Sequence, residues 1–315
     1  MLLARNGHKV KLWDRDRQHI HALDNDRVNQ RYLPGIALPE NVKPVSELED
    51  ALTDASFILS VVPSSGFRDV LKKISSSGAS ATNFIWASKG LEPGTGKFLH
   101  EVVAEELPDD TNVAALSGPS FATEVAKGLP TAVTIASNDI EYANLVAQLF
   151  HCPSFRAYTC DDLIGVELGG SIKNVLAIAA GISDGLGYGA NARAALITRG
   201  LAEIMRLGAQ LGGKRETFMG LAGVGDLVLT CTDDQSRNRR LGLALGRGIA
   251  LDKAVKDIGQ AVEGLHTAAE LDAVARRHGV DMPITHQVKR VLFDNEPAAS
   301  AVDTLLAREA KPEAV

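Results

Sequence analysis

The chain is poor in cysteine, histidine pairs and excess positive charge, and each shortage excludes a class of protein. Its three cysteines, Cys152, Cys160 and Cys231, are odd in number and not closely paired. This argues against a disulfide framework and for reduced thiols. The eight histidines are scattered without metal-binding spacing, so we expect no metal site. Acidic residues outnumber basic ones, 39 to 33, so no overall basic field favours nucleic acid as a partner.

Long apolar runs and a secretory signal are also missing. No apolar run approaches the roughly 20 residues of a membrane span. Arg5 and His8 lie close to the start of the chain, without a signal-peptide cleavage pattern. Because 315 residues can form two domains with sizeable cores, we expect a soluble, two-domain, cytoplasmic protein.

The first half of the chain alternates short apolar runs with stretches of helical spacing. In these runs apolar residues follow one another without alternating with polar ones, as in strands buried on both faces of a sheet. They cover residues 57–63, 83–88, 113–120 and 131–137. This alternation predicts an α/β fold with a doubly wound, mostly parallel, Rossmann-like sheet. Alanine, leucine and glycine dominate further on, so we place a sheet domain at residues 1–164 and an all-α domain at residues 165–315.

The opening segment, "ARNGHKVKLWDRD", predicts a helix end closed by Gly7, a strand and a polar turn. In a nucleotide-binding fold, the residue after this strand contacts the adenosine ribose and lies about 20 residues after a G-x-G-x-x-G turn. Arg15 or Asp16 holds that position, and no such glycine turn precedes it in this sequence. An aspartate would accept from a ribose 2′-hydroxyl, and an arginine would suit a 2′-phosphate. A solvated charged turn is the alternative.

Lys173 is the first candidate for chemistry. It follows Gly169, Gly170 and Ser171 and precedes a segment that is apolar nearly all round. Such a lysine is costly to desolvate unless it meets a partner or a substrate, and it could serve as a general acid or base. The alternative is a lysine with a packed stem and an ammonium that reaches water.

The second candidate is the segment at residues 220–240. Asp226 follows a glycine-rich turn, where it could be an N-cap as well as a site residue. Ser236, Arg237 and Asn238 place a hydroxyl, a guanidinium and an amide together, a set that can hold a phosphate. A polar turn followed by a basic helix start is the alternative.

Two predicted strand ends carry further candidates, since strand ends in such sheets face the ligand crevice. Gly118 and Ser120 precede a predicted helix, where backbone N–H groups suit an anion, although a simple N-cap is the alternative. Lys89 ends another strand and could reach a negative ligand. Glu263 is isolated, and its chemistry alone indicates a surface or capping residue.

Taken in order, these segments resemble the bacterial-type NAD(P)-dependent glycerol-3-phosphate dehydrogenases. The resemblance runs from Leu2 to about Leu306 and rests on "NGHKVKLWDRD", "RYLPGIALPENV", "VVPS", "ASKGLE", "SGPSFATEVAKGLPTAV", "GVELGGSIKNVLAIAAGISDGLGYGANARAALITRGLAE", "GLAGVGDLVLTCTDDQSRNRR" and "GQAVEG". It implies reversible hydride transfer between NADPH or NADH and dihydroxyacetone phosphate. The product would be sn-glycerol 3-phosphate for phospholipid synthesis, made in a cleft between a dinucleotide-binding domain and a helical domain.

The resemblance also implies residue roles. Lys173 matches the proton donor and acceptor, and Asp226 matches the substrate-site carboxylate beside it. Further substrate contacts are implied for Lys89, Gly118, Ser120, Ser236, Arg237 and Asn238. Cofactor contacts are implied for Arg15, Lys89, Ala122, Arg237, Ala261 and Glu263. Neither a metal nor a nucleic acid is implied, and a homodimer is compatible with the resemblance.

One departure and two alternatives accompany the resemblance. The family begins with a strand and a glycine turn, whereas this sequence begins inside the following helix, by a late start or a true truncation. We therefore expect weak cofactor binding from the chain as given. Another two-domain, hydroxyacid-type dehydrogenase would carry an asparagine four residues after the lysine, where Ala177 stands here. A truncated remnant with only a binding role is the other alternative.

Overall fold

The computed structural model describes residues 1–78 and 82–309. The last residues of the predicted helical domain, 310–315, lie outside this range. The strands are β1 (Val10–Trp13), β2 (Val42–Val45), β3 (Ile58–Ser60), β4 (Asn83–Trp86), β5 (Asn112–Ser117), β6 (Thr131–Ala136) and β7 (Phe155–Cys160). The helices among them are α1 (Leu2–Arg5), α2 (Arg17–Asp26), α3 (Leu48–Leu52), α4 (Phe67–Ser76), α5 (Leu99–Glu106), α6 (Ala122–Lys127) and α7 (Ile140–Phe150). A single 3₁₀ turn covers Ser64–Gly66.

The strands form a five-stranded sheet in the order β3-β4-β5-β6-β7 and a separate two-stranded sheet, β1-β2. All neighbours are parallel except β5 and β6, which confirms the predicted mostly parallel sheet. In the part of the chain that the structure describes, β1 pairs only with β2, and β3 only with β4. Each of these two strands therefore has one unpaired edge.

The four apolar runs each form a strand, the opening segment forms β1, and the remaining two strands, β2 and β7, have no such pattern. Strand β2 contains a proline, Pro44, and strand β7 alternates apolar with polar residues. Pro44 has no backbone N–H group to donate to a neighbouring strand. Strand β7 lies at a sheet edge, and its residues alternate between more buried and more exposed positions. A search for continuous apolar runs misses strands of both kinds.

The remainder of the described chain is helical. It contains α8 (Leu163–Gly185), α9 (Gly189–Leu211), α10 (Arg215–Phe218), α11 (Asp226–Thr232), α12 (Arg237–Gly246), α13 (Leu251–Ile258), α14 (Glu263–Arg277), α15 (Pro283–Phe293) and α16 (Ala298–Leu306). A π-helical turn, Leu221–Gly225, leads into α11. This confirms the expected all-α part, and the predicted boundary at residue 164 lies in the first turn of α8.

Helix α8 is the centre of this helical part, because nearly all its residues are buried. Gly181 lets α12 approach closely, since a Cβ there would lie 2.2 Å from the Arg239 carbonyl oxygen. Contrary to the expectation from apolar runs, this helix is long and apolar enough to cross a membrane. However, 94% of its most apolar window is buried within the fold, as in the core helix of a folded domain.

Candidate active site

Four candidate residues meet where the carboxyl ends of β4 and β5 face α8 and α11. Trp86 of β4 lies beside Ala115 of β5 in the sheet register, so Lys89 and Gly118, which follow these strands, reach the same edge. Helix α8 brings Lys173 to this edge, and α11 brings Asp226. The sheet and the helical part thus each contribute two of the four residues.

Asp226 joins the two lysines. Its Oδ1 accepts from Lys173 Nζ at 2.6 Å, and its Oδ2 accepts from Lys89 Nζ at 2.7 Å. Lys89 also donates to the Gly118 carbonyl at 3.1 Å, and Lys173 donates to Thr230 Oγ1 at 3.1 Å. Sequence reasoning missed Thr230, although its place four residues after Asp226 on a helix puts both side chains on one face.

The N-cap interpretation of Asp226 is wrong. Gly225 holds the N-cap position of α11, and the chain enters this helix through the preceding π-helical turn. The Asp226 carboxylate is therefore available to the two lysines. Asp226 is only 1% exposed, so its negative charge is compensated by the lysines and not by water.

Burial and charge tune these groups in opposite directions. Burial, opposed by Asp226 and reinforced by the charge of Lys89, lowers the pKa of Lys173 to about 8. Burial would raise the pKa of Asp226, but Lys173 and Lys89 hold it below its usual value. Lys173 can therefore give or take a proton near neutral pH while Asp226 stays ionised, which suits a general acid and base.

Gly118 is required by its backbone. Its φ is +141°, and a Cβ there would lie 3.0 Å from the Val133 Cα, so a larger residue would be strained. Ser120 Oγ donates to the Gly118 carbonyl at 3.0 Å, which Lys89 also contacts. Ala122 begins α6 close by and is exposed.

The three phosphate-site candidates at the start of α12 differ in whether their side chains are already bonded within the protein. Ser236 is the N-cap, and its Oγ accepts from Arg239 N at 3.2 Å, as the helix-start interpretation predicts. Asn238 donates to Asn174 Oδ1 at 3.0 Å and accepts from Gly264 N at 2.9 Å. The Ser236 side chain thus caps α12 itself, and the Asn238 side chain connects α12 with α8 and α14. Asn174, directly after Lys173, was not among the predicted residues.

Arg237 differs from its neighbours. It is half-buried, and its guanidinium makes no hydrogen bond or ion pair with any residue that the structure describes. Burial lowers its pKa, and the charge of Glu263 opposes this. A half-buried cation without a protein partner is available to an anionic ligand.

Glu263 is neither a plain surface residue nor a simple cap. It begins α14, and its Oε2 accepts from Ser64 Oγ of the sheet part at 3.1 Å. Burial raises its pKa, although Ser64 and Arg237 counteract this effect. Ala261 precedes it in an exposed position. Glu263 and Ser64 therefore bring the two parts of the chain together near Arg237.

Arg15 lies in the turn between β1 and α2 and is exposed. Its acidic neighbours are occupied, because Asp14 accepts from Asp16 N at 2.8 Å and Asp16 caps α2 by accepting from His19 N at 3.1 Å. Among described residues Arg15 has no such partner, which agrees with the 2′-phosphate interpretation and equally with a solvated charged turn.

The thiols and the metal-binding side chains add nothing to this cleft. All three cysteines are free. Within residues 1–78 and 82–309, no three His, Cys, Asp or Glu side chains are placed to hold a metal ion. The chemistry available here is proton exchange by a lysine, together with cations for a negatively charged ligand.

A mostly parallel sheet, a helical part and a titratable lysine between them define the class of two-domain oxidoreductases. Comparison with known proteins specifies the class further. The sequence model described as NAD-dependent glycerol-3-phosphate dehydrogenase N-terminus matches residues 1–143, and the corresponding C-terminus model matches residues 162–303. The chain belongs to the NAD-dependent glycerol-3-phosphate dehydrogenase family, as the sequence resemblance predicted.

Individual relatives agree with the family match. A glycerol-3-phosphate dehydrogenase [NAD(P)+] of Thioalkalivibrio sulfidiphilus is 57% identical over 313 residues, 99% of this chain and 94% of the relative. One of Stenotrophomonas maltophilia is 52% identical over 312 residues, 99% of this chain and 92% of the relative. A glycerol-3-phosphate dehydrogenase crystal structure from Coxiella burnetii has a TM-score of 0.94 and 50% identity, covering 98% of this chain and 94% of that one.

A D-mandelate dehydrogenase structure has a TM-score of 0.61 at 12% identity, covering 98% of this chain and 95% of that chain. At this identity the likeness extends to the fold alone. The family match therefore decides against the alternative of another hydroxyacid-type dehydrogenase.

Proposed function

We propose that this chain catalyses reversible hydride transfer between NADPH or NADH and dihydroxyacetone phosphate. The product of reduction is sn-glycerol 3-phosphate, which supplies phospholipid synthesis. The observation that carries the proposal is Lys173, a buried ammonium with a pKa of about 8, held 2.6 Å from Asp226. The family match and the names of the relatives support the choice of substrate.

Lys173 is the proton donor for reduction. As the carbonyl group is reduced, its oxygen must take one proton to become a hydroxyl. Lys173 Nζ gives this proton, becomes a neutral amine and regains a proton from solvent. In the oxidation direction the neutral amine accepts the hydroxyl proton. Asp226 and Thr230 orient Nζ, which they contact at 2.6 and 3.1 Å.

Cations beside Lys173 hold the negatively charged substrate. Arg237 binds the phosphate, because its guanidinium has no described protein partner and can form paired bonds to phosphate oxygens. Lys89, Gly118 and Ser120 contribute further substrate contacts at the ends of β4 and β5.

Ser236 and Asn238 stay candidates for the same site. The bonds that they make within the protein also hold Arg237 at the start of α12.

The residues fit a nicotinamide dinucleotide along this cleft. Arg15 offers a free guanidinium after β1, where a 2′-phosphate would be recognised. The family resemblance assigns further cofactor contacts to Glu263, Ala261 and Ala122, and gives Lys89 and Arg237 to both cofactor and substrate. When bound, the cofactor supplies the hydride. The residues of this chain hold it and exclude water from the reaction.

The proposal also covers the domain limits, the cellular location and the partners. The dinucleotide-binding domain comprises residues 1–164, and the helical substrate domain comprises residues 165–315. The protein works in the cytoplasm and without nucleic acid. The net charge of −6 supports the last point, since it offers no overall attraction for a polyanion.

A steady-state assay of the purified chain tests the proposal. At NADPH concentrations high enough to offset weak cofactor binding, we expect NADPH oxidation with dihydroxyacetone phosphate and little with 2-keto acids. Arg237→Ala should raise KM for dihydroxyacetone phosphate about ten- to a hundredfold while kcat changes less, since a phosphate contact persists into the transition state. Arg240→Ala, an exposed change on the same helix, is the control. Turnover of 2-keto acids in preference to dihydroxyacetone phosphate would contradict the proposal.

A further inference from the structure

A buried carboxylate outside the reacting group lies on the same helix as Lys173. Glu167 precedes it by six residues on α8, and its side chain is 4% exposed. Its Oε1 accepts from Trp86 Nε1 at 3.0 Å and from His100 N at 3.1 Å. Its Oε2 lies 2.5 Å from His100 Nδ1. None of the steps proposed above uses these three contacts.

These contacts link the two segments that carry the active-site lysines. Trp86 is the last residue of β4 and stands three residues before Lys89. Glu167 therefore connects the strand that leads to Lys89 with the helix that carries Lys173. The same two segments meet again at Asp226, whose two oxygens each accept from one lysine. Two bridges between the same pair of segments leave little freedom for one lysine to move relative to the other.

Helix α8 also touches Lys89 directly between these bridges. A Cβ added at Gly170 would lie 3.0 Å from Ser117 Oγ and 3.5 Å from Lys89 Cγ. The side-chain stem of Lys89 therefore packs against the helix backbone. A sideways displacement of α8 would change the position of Lys89 as well as that of Lys173.

The charge of Glu167 is compensated inside the fold. Burial lowers the pKa of His100, but its hydrogen bond to Glu167 and the charges of Glu167 and Glu101 raise it above its usual value overall. When protonated, His100 compensates the charge of the buried carboxylate. A buried ion pair seldom exceeds a well-packed apolar pair in stability. Stability therefore does not explain why Glu167 is buried here. Its position between the two lysine-bearing segments explains it.

We propose that Glu167 is a positioning residue for this active site. By holding Trp86 and His100, it sets the relative positions of Lys89 and Lys173 and hence the place of the donated proton. The inference rests on the proposed function, because its effect is measured on the reduction of dihydroxyacetone phosphate. It predicts that loss of the Trp86–Glu167 bond slows chemistry without weakening substrate binding.

Trp86→Phe removes the donor of the bond between these two side chains, and Glu167→Gln removes the charge and one acceptor oxygen at its other end. We expect each to lower kcat, with Glu167→Gln reaching about ten- to a hundredfold, the scale of a small misplacement of reacting groups. KM for dihydroxyacetone phosphate should stay within about twofold. With NADPH deuterated at the transferred position, the primary isotope effect on kcat should rise as hydride transfer becomes limiting. The loss in the double variant should be smaller than the product of the two single losses, since both changes act on the same bond.

A readout without substrate accompanies the kinetics. The chain has two tryptophans, so the Trp86 indole N–H is readily assigned by comparison with Trp86→Phe. Its proton resonance should shift, and its hydrogen exchange should quicken, in Glu167→Gln.

Glu203→Gln is the matched control, because Glu203 is equally buried but contacts the start of α15. It should change the melting temperature while kcat and the isotope effect stay at wild-type values. An unchanged kcat in Glu167→Gln, with the indole resonance shifted, would overturn the inference. So would a kcat loss that tracks the loss of stability equally in Glu167→Gln and Glu203→Gln. A wild-type chain without dihydroxyacetone phosphate turnover at saturating NADPH would instead overturn the proposed function.

Discussion

At the scale of single residues, the protonation of Lys173 is the property that the fold controls most directly. A solvated lysine is charged throughout the physiological range. Burial of Lys173 beside Asp226 and Lys89 brings its pKa to about 8, where both forms are populated. This residue is therefore the place where pH should act on the reaction.

We expect kcat/KM for reduction of dihydroxyacetone phosphate to fall as pH rises through about 8, because reduction needs the ammonium form. For oxidation it should fall as pH drops below that value, because oxidation needs the neutral amine. Lys173→Ala should lower kcat by roughly 10²–10⁴-fold, the usual loss for a general acid or base. Initial rates in both directions between acid and alkaline pH would measure these effects. Lys289→Ala, which changes a surface ion pair with Asp294, is the control, and near-normal turnover of Lys173→Ala would refute the role.

We expect Arg15 to bias the choice between the two cofactors toward NADPH. Asp14 and Asp16 are occupied by the turn and the helix cap, which leaves the Arg15 guanidinium free for a 2′-phosphate. We expect Arg15→Ala to raise KM for NADPH by about tenfold, the scale of one charge-assisted hydrogen bond, and KM for NADH much less. Arg17→Ala, which removes an exposed pair with Glu47, should leave the ratio unchanged. Equal increases for NADPH and NADH would show that Arg15 does not read that phosphate.

At the scale of elements, a buried carboxylate joins two helices far from the lysines. Glu203 of α9 accepts from Ile284 N at 2.6 Å and from Thr285 N at 3.2 Å, which satisfies N–H groups at the start of α15. Burial nevertheless raises the pKa of Glu203 to about 7, against the effect of these hydrogen bonds. The folded protein thus holds this proton more firmly than the unfolded chain does.

A pH-dependent stability follows from this raised pKa. Between the ordinary value of 4.5 and about 7, the folded state binds more protons than the unfolded state, so the free energy of unfolding falls as pH rises. Glu203→Gln cannot titrate. The stability of the wild type relative to this variant should therefore decrease by up to about 3 kcal/mol across that range. Urea unfolding at both ends of the range would measure it, with Glu216→Gln as the exposed control; a pH-independent difference would contradict the prediction.

At the scale of the whole molecule, α8 belongs to two hydrophobic cores. Leu163 and Val166 pack with residues of the sheet, whereas Leu168, Ile172 and the following residues form the core of the helical part. One helix therefore cannot keep its packing if either part unfolds. This shared element explains how two domains can hold a cleft whose residues come from both.

We expect the chain to unfold in a single cooperative transition. Both tryptophans, Trp13 and Trp86, lie in strands, so their fluorescence reports the sheet part, whereas far-ultraviolet circular dichroism is dominated by the helical part. The two signals should change at the same urea concentration. Ile178→Ala in the helical core should lower both midpoints equally. Separate transitions for fluorescence and dichroism would show that α8 does not couple the domains.

Prediction from sequence succeeded where local pattern carries the information. Buried strands of parallel sheets are continuous apolar runs, so the runs that contain β3, β4, β5 and β6 were recognised. The edge strand β7 and the proline-containing β2 were missed, because their patterns depend on which neighbours cover them. The Asp226 N-cap interpretation failed for a related reason, since a π-helical turn that the sequence does not announce occupies the position before it.

The sequence by itself determined the family, the order of a sheet part and a helical part, and the residue types available for proton exchange and phosphate binding. These follow from composition, local period and the order of short segments. Only the tertiary structure decided how those residues are used. Asp226 bridges lysines that lie 53 and 137 positions away in the chain, and Arg237 is free while Ser236 and Asn238 are committed to helix contacts. Such pairings depend on distances between segments remote in sequence, which only the packing of α8 against the sheet and α11 establishes.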